Sequence, residues 1–274
     1  MKMNFWKMHG ARNDFVLFDN RSGSFPVEDR GFIAHIAARH SGIGAEGVIL
    51  LEPSESCDFY MRFFNPDGGE AEMCGNGARC AARLAFELGA ADKQMSIETA
   101  AGAIRAEVLA RSVRLWMTEP TDWRLDGLLE LDERTLTYGF VNTGVPHVVM
   151  RTGNVQDVDV DGVGSTVRRH RDFAPEGTNV NFMQVCPEGD IRVRTFERGV
   201  EAETAACGTG VTACALVAAR NGWAELPILV NTRSGDMLTV DGELTEDSVR
   251  NVTLTGPTEH VFMGTIEYPK ANTE

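Results

Sequence analysis

The chain has 274 residues, 43% of them apolar and 24% charged, a balance typical of a globular enzyme large enough for two lobes. Its formal net charge is −14 and no Lys/Arg run is dense, which argues against nucleic acid or an anionic membrane as a partner. The residues from Met1 to Gly10 contain no apolar signal segment, and no run of about 18 apolar residues occurs, so we expect a cytoplasmic protein.

Short apolar runs bounded by turn residues predict β-strands along most of the chain, and several of them alternate with period two. The predicted strands lie near 15–18, 47–51, 60–64, 113–117, 147–150, 181–185, 191–196 and 259–268. Helices are predicted at about 29–40, 75–89 and 208–222. The last two begin at Gly-rich turns, are rich in alanine, and stop at Gly89 and at Asn221-Gly222.

Two segments of the chain resemble each other. Residues 64–77 read FNPDGGEAEMCGNG and residues 196–210 read FERGVEAETAACGTG. Each is a predicted strand, an acidic Gly-containing turn, and Cys-Gly-x-Gly opening a helix. The repeat predicts two related lobes, each with strands packed around one central helix. We expect an N-terminal lobe of 1–118 plus 262–274, and a C-terminal lobe of 119–261.

The repeated motif places Cys74 and Cys207 at helix N-termini. There, backbone N–H groups lack intrahelical partners and the helix dipole favours a thiolate, so the pKa of each thiol is expected to fall below its usual value of about 8.5. If the lobes face each other, the amides of Gly75-Asn76 and Gly208-Thr209 hold one α-carboxylate between two opposed sulfurs. One thiolate then removes the α-proton and the other thiol protonates the opposite face, which inverts the carbon.

The other four cysteines are expected to be packing residues: Cys57, Cys80, Cys186 and Cys214. The Cys-x₅-Cys and Cys-x₆-Cys spacings do not suit zinc. The sequence contains no Cys-x-x-Cys motif, so a redox dithiol is not expected either. We therefore expect no metal.

The residues identify a family resemblance over nearly the whole chain. FWKMHGARNDF (5–15), RHSGIGA (39–45), EMCGNGARC (72–80) and the Glu197–Gly210 segment closely resemble diaminopimelate epimerase. The resemblance implies an α+β fold of two pseudo-symmetric lobes, each a mostly antiparallel β-structure wrapped around a central α-helix, with the active site between them. It also implies interconversion of LL- and meso-diaminopimelate in lysine biosynthesis, with no pyridoxal phosphate and no metal. It matches Cys74 and Cys207 to the catalytic thiols, and His147 to a supporting polar residue. It matches these residues to substrate binding: Asn13, Asn65, Gly75, Asn76, Asn179, Glu197, Arg198, Gly208 and Thr209.

One departure leaves the distal end of the substrate open. Val145 stands where many family members have an asparagine. A racemase or epimerase of another amino acid on the same scaffold is therefore the main alternative, and a non-catalytic amino-acid-binding protein is a second. Asn76 argues against the proline racemase branch, which resembles Met-Cys-Gly-His at the first motif. Whether two copies form a homodimer is also open.

Overall fold

The computed structural model describes residues 1–131 and 134–269. The chain divides into two compact units: an N-terminal unit of Met1–Leu115 joined by the residues from Gly256 onward, and a C-terminal unit of Trp116–Thr255. The lobe limits 1–118 plus 262–274 and 119–261 stay a prediction, and residues 132–133 and 270–274 within them lie outside the described residues.

Among the described residues, the first segment of the N-terminal unit contains two α-helices and eight strands, the last of which ends one residue beyond the unit. Its elements in chain order are β1 (Lys2–Gly10), β2 (Asn13–Asp19), α1 (Arg30–Ala37), β3 (Val48–Glu52), β4 (Phe59–Phe64), β5 (Glu70–Ala71), α2 (Gly75–Glu87), β6 (Gln94–Thr99), β7 (Gly102–Val108) and β8 (Ser112–Trp116).

The C-terminal unit carries the next series of elements. They are β9 (Thr121–Leu131), β10 (Arg134–Asn142), β11 (Pro146–Arg151), α3 (Val160–Arg168), β12 (Asn179–Val185), β13 (Ile191–Glu197), β14 (Ala202–Thr204), α4 (Gly208–Arg220), β15 (Ile228–Asn231), β16 (Met237–Leu244) and β17 (Val249–Pro257). The last strand, β18 (Glu259–Glu267), pairs antiparallel with β1 in the N-terminal unit.

The two units repeat one order of strand pairing. In the N-terminal unit β1–β2 is an antiparallel hairpin, β2–β3 is parallel, β3–β4 and β4–β5 are antiparallel, and β4–β6 is parallel. In the C-terminal unit β10–β11, β11–β12, β12–β13, β13–β14 and β13–β15 follow the same five steps. The internal repeat predicted from the cysteine motifs is therefore confirmed at the level of topology.

Each repeat is built on a helix buried on nearly all sides, α2 in the first unit and α4 in the second. In α4 every residue from Gly210 to Ala219 is buried, and in α2 the buried set extends from Asn76 to Ala82 without a break. A helix apolar around its whole circumference belongs in a core, and alanine and glycine let surrounding strands approach closely. The predicted central helices, and with them the predicted α+β class, are confirmed.

Two features differ from the expectation. Helix α3 was not predicted: Val160, Val163 and Val167 recur at helical spacing, but the helix has only nine residues and two of them are glycines, which disfavour a helix interior. Cys57 is partly exposed, so its assignment as a buried packing residue is wrong; it precedes β4 in a loop. Within the described residues, none of the helices is long and apolar enough to cross a membrane.

Candidate active site

The four helices begin in two different ways. Asp29 caps α1 by accepting from the Phe32 amide, and Asp159 caps α3 in the same manner through Gly162. The N-cap residues of α2 and α4 are Cys74 and Cys207, and neither makes a side-chain cap hydrogen bond. Aspartate is among the best N-caps, whereas a cysteine forgoes roughly 0.5–2 kcal/mol of capping. The two central helices therefore begin with a residue that is not there to cap them.

The first-turn amides of both helices precede the i→i−4 hydrogen bonds of the regular helix. The first i→i−4 bonds run from Ala78 N to Cys74 O (2.8 Å) and from Val211 N to Cys207 O (2.9 Å). The three N–H groups that precede each of these bonds are the ones a helix presents to a cap or to an anion, with the positive end of its dipole.

A glycine follows each cysteine, and the space around its Cα shows what local packing requires there. A Cβ built on Gly75 would meet no heavy atom of the described residues within 4 Å, and one on Gly208 would meet only the Leu254 methyl Cδ2 at 3.2 Å. Neither glycine has a positive φ. Local packing and backbone conformation therefore do not demand glycine at position 75, whereas close approach of a ligand to the amides would.

The β1–β2 hairpin brings Asn13 to the start of α2. A Cβ on Gly10 would lie 2.9 Å from the backbone oxygen of Asn76, so glycine lets the hairpin rest on the helix. Ala11 and Arg12 form the turn with φ of 54° and 61°. Such left-handed conformations cost roughly 1–2 kcal/mol each in residues other than glycine, and strain of this kind clusters at functional sites.

Three of the predicted residues meet there. The Oδ1 atom of Asn13 accepts from Asn76 Nδ2 at 3.1 Å and lies 3.7 Å from the Cys74 sulfur, a sulfur hydrogen bond. Arg79 is fully buried behind them and donates from Nη2 to Asn76 Oδ1 at 2.8 Å. Asn13 Nδ2 in turn donates to Glu46. Cys74 thus sits at the end of a chain of polar side chains that orients it.

Asn65 lies in the β4–β5 turn and has an exposed side chain. Its amide donates to Gly69 O (2.8 Å) and its carbonyl accepts from Gly68 N (2.9 Å). Its turn-forming role is therefore observed, and its substrate-binding role stays a prediction.

The C-terminal unit places Cys207 beside Thr209. Their Sγ and Oγ1 atoms are 3.4 Å apart. The turn between β10 and β11 rests on the same end of α4, since Thr143 donates from Oγ1 to Thr209 O at 3.1 Å. Val145 belongs to that turn, with its carbonyl accepting from Thr143 N at 3.1 Å.

Asn179 ties the neighbouring turn in place. Its Oδ1 accepts from the Arg198 amide at 2.8 Å and its Nδ2 donates to Pro146 O at 3.0 Å. Glu197 ends β13, and its carbonyl accepts from Glu201 N at 2.8 Å to close the β13–β14 turn. Both polar side-chain atoms of Asn179 therefore form hydrogen bonds to backbone groups and fix the two turns relative to each other. Direct substrate contact by Asn179, Glu197 and Arg198 stays a prediction.

His147 is fully buried next to Asn179, its partner in the parallel register of β11 and β12. Burial, followed by the positive charge of Arg198, lowers the pKa of His147 to about 3. The ring is therefore neutral at pH 7. Its Nε2 is buried without a hydrogen-bond partner among the described residues.

Two buried polar residues behind His147 were missed from the sequence. Thr195 donates from Oγ1 to Asn181 Oδ1 at 2.9 Å, and Asn181 Nδ2 lies 3.1 Å from His147 Nδ1. We call His147, Asn181 and Thr195 the polar triad. A Cβ on Gly210 would lie 2.3 Å from Asn181 Oδ1, so α4 packs directly on this triad.

The equivalent place in the N-terminal unit is apolar. Strand register makes Val16–Val48–Phe64 equivalent to Val148–Val180–Phe196, so that Phe15, Ile49 and Phe63 match the polar triad. These three residues, the apolar triad, are buried, and the rings of Phe15 and Phe63 pack edge to face at 6.1 Å. Comparing the two halves in register is the sequence signal that could have found the polar triad.

The cysteines one helical turn or more beyond the motifs are inert by burial. Burial raises the pKa of Cys80 to about 12 and raises the pKa of Cys214 well above its ordinary value. Both are fully buried, in agreement with their predicted packing role. Within residues 1–131 and 134–269, no cluster of three or more His, Cys, Asp or Glu side chains is placed to hold a metal ion.

The fold is shared with solved isomerases and related proteins. A phenazine biosynthesis protein of the PhzF family from Bacillus anthracis aligns with a TM-score of 0.73 at 15% identity, over 98% of this chain and 100% of that one. A probable proline racemase from Agrobacterium radiobacter K84 aligns with a TM-score of 0.71 at 16% identity, over 99% and 94% of the two chains. These likenesses show a shared fold, and in this chain each of its two central helices has a cysteine as its N-cap residue.

A family model described as diaminopimelate epimerase matches residues 5–122 and 139–261. The chain belongs to the diaminopimelate epimerase family. A relative of that name from Aquifex aeolicus is 44% identical over 274 residues, covering 96% of this chain and 97% of the relative. Another, from a Hydrogenobaculum species, is 40% identical over 96% of this chain and 98% of its own length. The predicted family and enzyme class are confirmed, and the substrate is a small amino acid.

Proposed function

We propose that the chain interconverts LL- and meso-diaminopimelate with Cys74 and Cys207 as its acid and base. The observation that carries this proposal is the contrast in helix starts. Two helices are capped by aspartate, and the two central ones begin at a cysteine with no side-chain cap bond. A thiol at a helix N-terminus has its thiolate favoured, which suits it to proton abstraction.

The reaction needs one C–H bond broken and one formed. The thiolate of one cysteine takes the α-proton and becomes a thiol, and the electron pair left on the α-carbon is delocalised into the carboxylate. The thiol of the other cysteine then protonates the opposite face and becomes a thiolate. Exchange of the sulfur-bound proton with solvent, or a turnover in the reverse direction, restores the first state, so no net proton is gained or lost.

The first-turn amides supply the stabilisation that this reaction requires. The α-proton of an amino acid is weakly acidic, and removing it places negative charge on the carboxylate oxygens. Amide donors that are already oriented by a helix stabilise that charge without reorganising, and losing one such donor typically costs roughly 10²–10³ in rate. The N–H groups of Gly75, Asn76, Gly208 and Thr209 are the donors we assign to this role.

We infer that the remaining predicted residues bind the rest of the substrate. Arg198 is suited to pair with the distal carboxylate through its planar guanidinium, and Asn13, Asn65, Asn179 and Glu197 supply polar contacts around it. Asn13 has the strongest support, because its Oδ1 lies within sulfur hydrogen-bond distance of Cys74.

We also infer a cytoplasmic location, with neither nucleic acid nor membrane as a partner. The net charge of −14 and six cysteines without a secreted disulfide spacing support this inference. Light scattering of the purified chain tests the further proposal of a homodimer: a mass near twice 30.0 kDa supports it and a mass of one chain refutes it.

The decisive experiment measures Cys74→Ser and Cys207→Ser on LL-diaminopimelate in D₂O, with chiral chromatography and mass spectrometry. Each variant is expected to lose epimerisation by several orders of magnitude while its circular dichroism stays unchanged. Cys80→Ser is the matched control, since Cys80 lies in the same helix but is fully buried. Near-normal turnover in either N-cap variant refutes the two-thiol assignment. Turnover of a different amino acid in a substrate panel, with none of diaminopimelate, refutes the substrate.

A further inference from the structure

The polar triad occupies a position that the fold fills with hydrocarbon elsewhere. In the N-terminal unit the equivalent residues are the apolar triad of Phe15, Ile49 and Phe63, packed behind the start of α2. Burying polar groups costs free energy unless each one is hydrogen-bonded, whereas apolar residues at a core position carry no such requirement. The same topology is therefore stable without them, and their presence behind α4 requires another reason.

The orientation of the Asn181 amide is fixed by two groups of unambiguous character. Nδ2 lies 2.8 Å from the backbone oxygen of Val148, which can only accept. Oδ1 lies 2.9 Å from the hydroxyl of Thr195, which can donate its proton there. Exchanging the two amide atoms would face oxygen against oxygen at Val148. The NH₂ group of Asn181 therefore points toward Val148 and His147.

This orientation selects one tautomer of the histidine. The second Nδ2 proton of Asn181 is directed to Nδ1 of His147 at 3.1 Å, so Nδ1 accepts. A neutral imidazole with Nδ1 as its acceptor carries its proton on Nε2. Burial keeps the ring neutral, with a pKa of about 3.

The Nε2–H group that results is a buried donor without an acceptor among the residues that the structure describes. Leaving such a donor unsatisfied carries the desolvation penalty of the group. A fixed, neutral, desolvated donor is well suited to an anionic ligand, because it needs no reorganisation to bind one.

We propose that Asn181 and Thr195 are positioning residues that hold His147 as the Nε2–H tautomer, so that the ring donates a hydrogen bond to a carboxylate oxygen of the bound amino acid. This assignment rests on the proposed function, because it needs a substrate carboxylate in reach of His147. It makes the ring a donor, and rules it out as an acceptor from the substrate ammonium. The apolar triad provides no counterpart, so the two units are chemically unequal at this position.

The first test reads the tautomer directly. The full chain is labelled with ¹⁵N-histidine, and two-bond ¹H–¹⁵N correlations distinguish a protonated from an unprotonated ring nitrogen. The protein has six histidines, and His147→Gln assigns the signal by its loss. The expected result is a protonated Nε2 and an unprotonated Nδ1, with the Nε2–H proton shifting when meso-diaminopimelate is added. A protonated Nδ1 in the wild type overturns the proposal whatever the activity is.

The second test changes the positioning residues and measures kcat at alkaline pH, where the ring stays neutral. Asn181→Asp replaces the donor to Nδ1 with an acceptor, so Nδ1 becomes protonated and kcat is expected to fall roughly 10²-fold. Thr195→Val removes the donor that fixes the amide and is expected to lower kcat about tenfold, whereas Thr195→Ser keeps the hydroxyl and restores it. Thr253→Val, also buried in the C-terminal unit, is the matched control.

The outcomes separate this inference from the proposed function. If Asn181→Asp moves the proton to Nδ1 and kcat does not change, the donor role is refuted while the two-thiol mechanism stands. If Asn181→Asp does not fold, Thr195→Val against Thr195→Ser decides the same point. If the wild type does not act on diaminopimelate, the proposed function fails, yet the spectrum of the resting protein still accepts or rejects the tautomer.

Discussion

Gly75→Ala separates what a residue contributes to the fold from what it contributes to the site. Gly75 is the first residue of α2, and a Cβ there would meet nothing within 4 Å in the part of the chain that the structure describes. The substitution is therefore not expected to disturb the N-terminal unit. It places a methyl group where we propose that the substrate carboxylate approaches the helix amides.

The expected changes in stability and activity have opposite signs. Alanine is favoured over glycine in a helix by up to about 1 kcal/mol, and less at its first position, so unfolding should cost about 0.5 kcal/mol more. For a chain of this size that raises Tm by about 1–2 °C. Displacing the carboxylate from one amide should lower kcat/KM roughly 10²-fold.

The assay pairs differential scanning fluorimetry with epimerisation of LL-diaminopimelate. Gly31→Ala is the matched control, because Gly31 is in the first turn of α1 and its Cβ would make only an ordinary 3.4 Å contact. It should raise Tm similarly and leave kcat/KM unchanged. A Gly75→Ala enzyme as active as the wild type refutes the carboxylate site at this helix start.

Three further predictions use the same geometry. Gly210→Ala drives a methyl into the buried amide of Asn181 at 2.3 Å and should lower the unfolding free energy by about 1–3 kcal/mol in urea titrations. Gly77→Ala should cost less, because the nearest atom to its Cβ, at 2.8 Å, is the flexible Cδ1 end of Ile49. Cys80 should resist iodoacetamide at pH 8 in the folded protein by peptide mass spectrometry, since its pKa is raised to about 12; rapid labelling would contradict its burial. The pKa of His147 is about 3 in the folded protein and 6.5 in the unfolded chain, so its contribution to the unfolding free energy is fully present above pH 6.5. That contribution falls by up to about 1.4 kcal/mol per pH unit as the pH drops from 6.5 toward 3. His147→Gln should make the unfolding free energy less dependent on pH in this range, and an unchanged slope would contradict the assignment.

The secondary structure around the two Cys-Gly-x-Gly motifs could be predicted because local signals agree there. The helices expected at about 75–89 and 208–222 are found at Gly75–Glu87 and Gly208–Arg220, since Gly-rich starts, alanine content and C-terminal stop signals all coincide. Helix α3 escaped because it is short and two of its nine residues are glycines, which have low helix propensity. Gly164 is explained only by tertiary packing, as a Cβ there would lie 2.5 Å from Phe196.

The candidate site could be predicted in part for a similar reason. Cys74 and Cys207 are recognisable from the sequence because each belongs to a contiguous Cys-Gly-x-Gly motif. Asn181 and Thr195 are separated by 14 residues and look like ordinary strand residues. Their meaning depends on which strands pair and in what register, and one strand alone does not encode that.

The place of β18 in the chain has a consequence for synthesis. It pairs with β1, so the sheet of the N-terminal unit is completed by residues made after the whole C-terminal unit. As the chain leaves the ribosome, β1 keeps one edge of unsatisfied backbone groups until the end, and such an edge invites pairing with another nascent chain. The unit translated first is thus the one that finishes folding last.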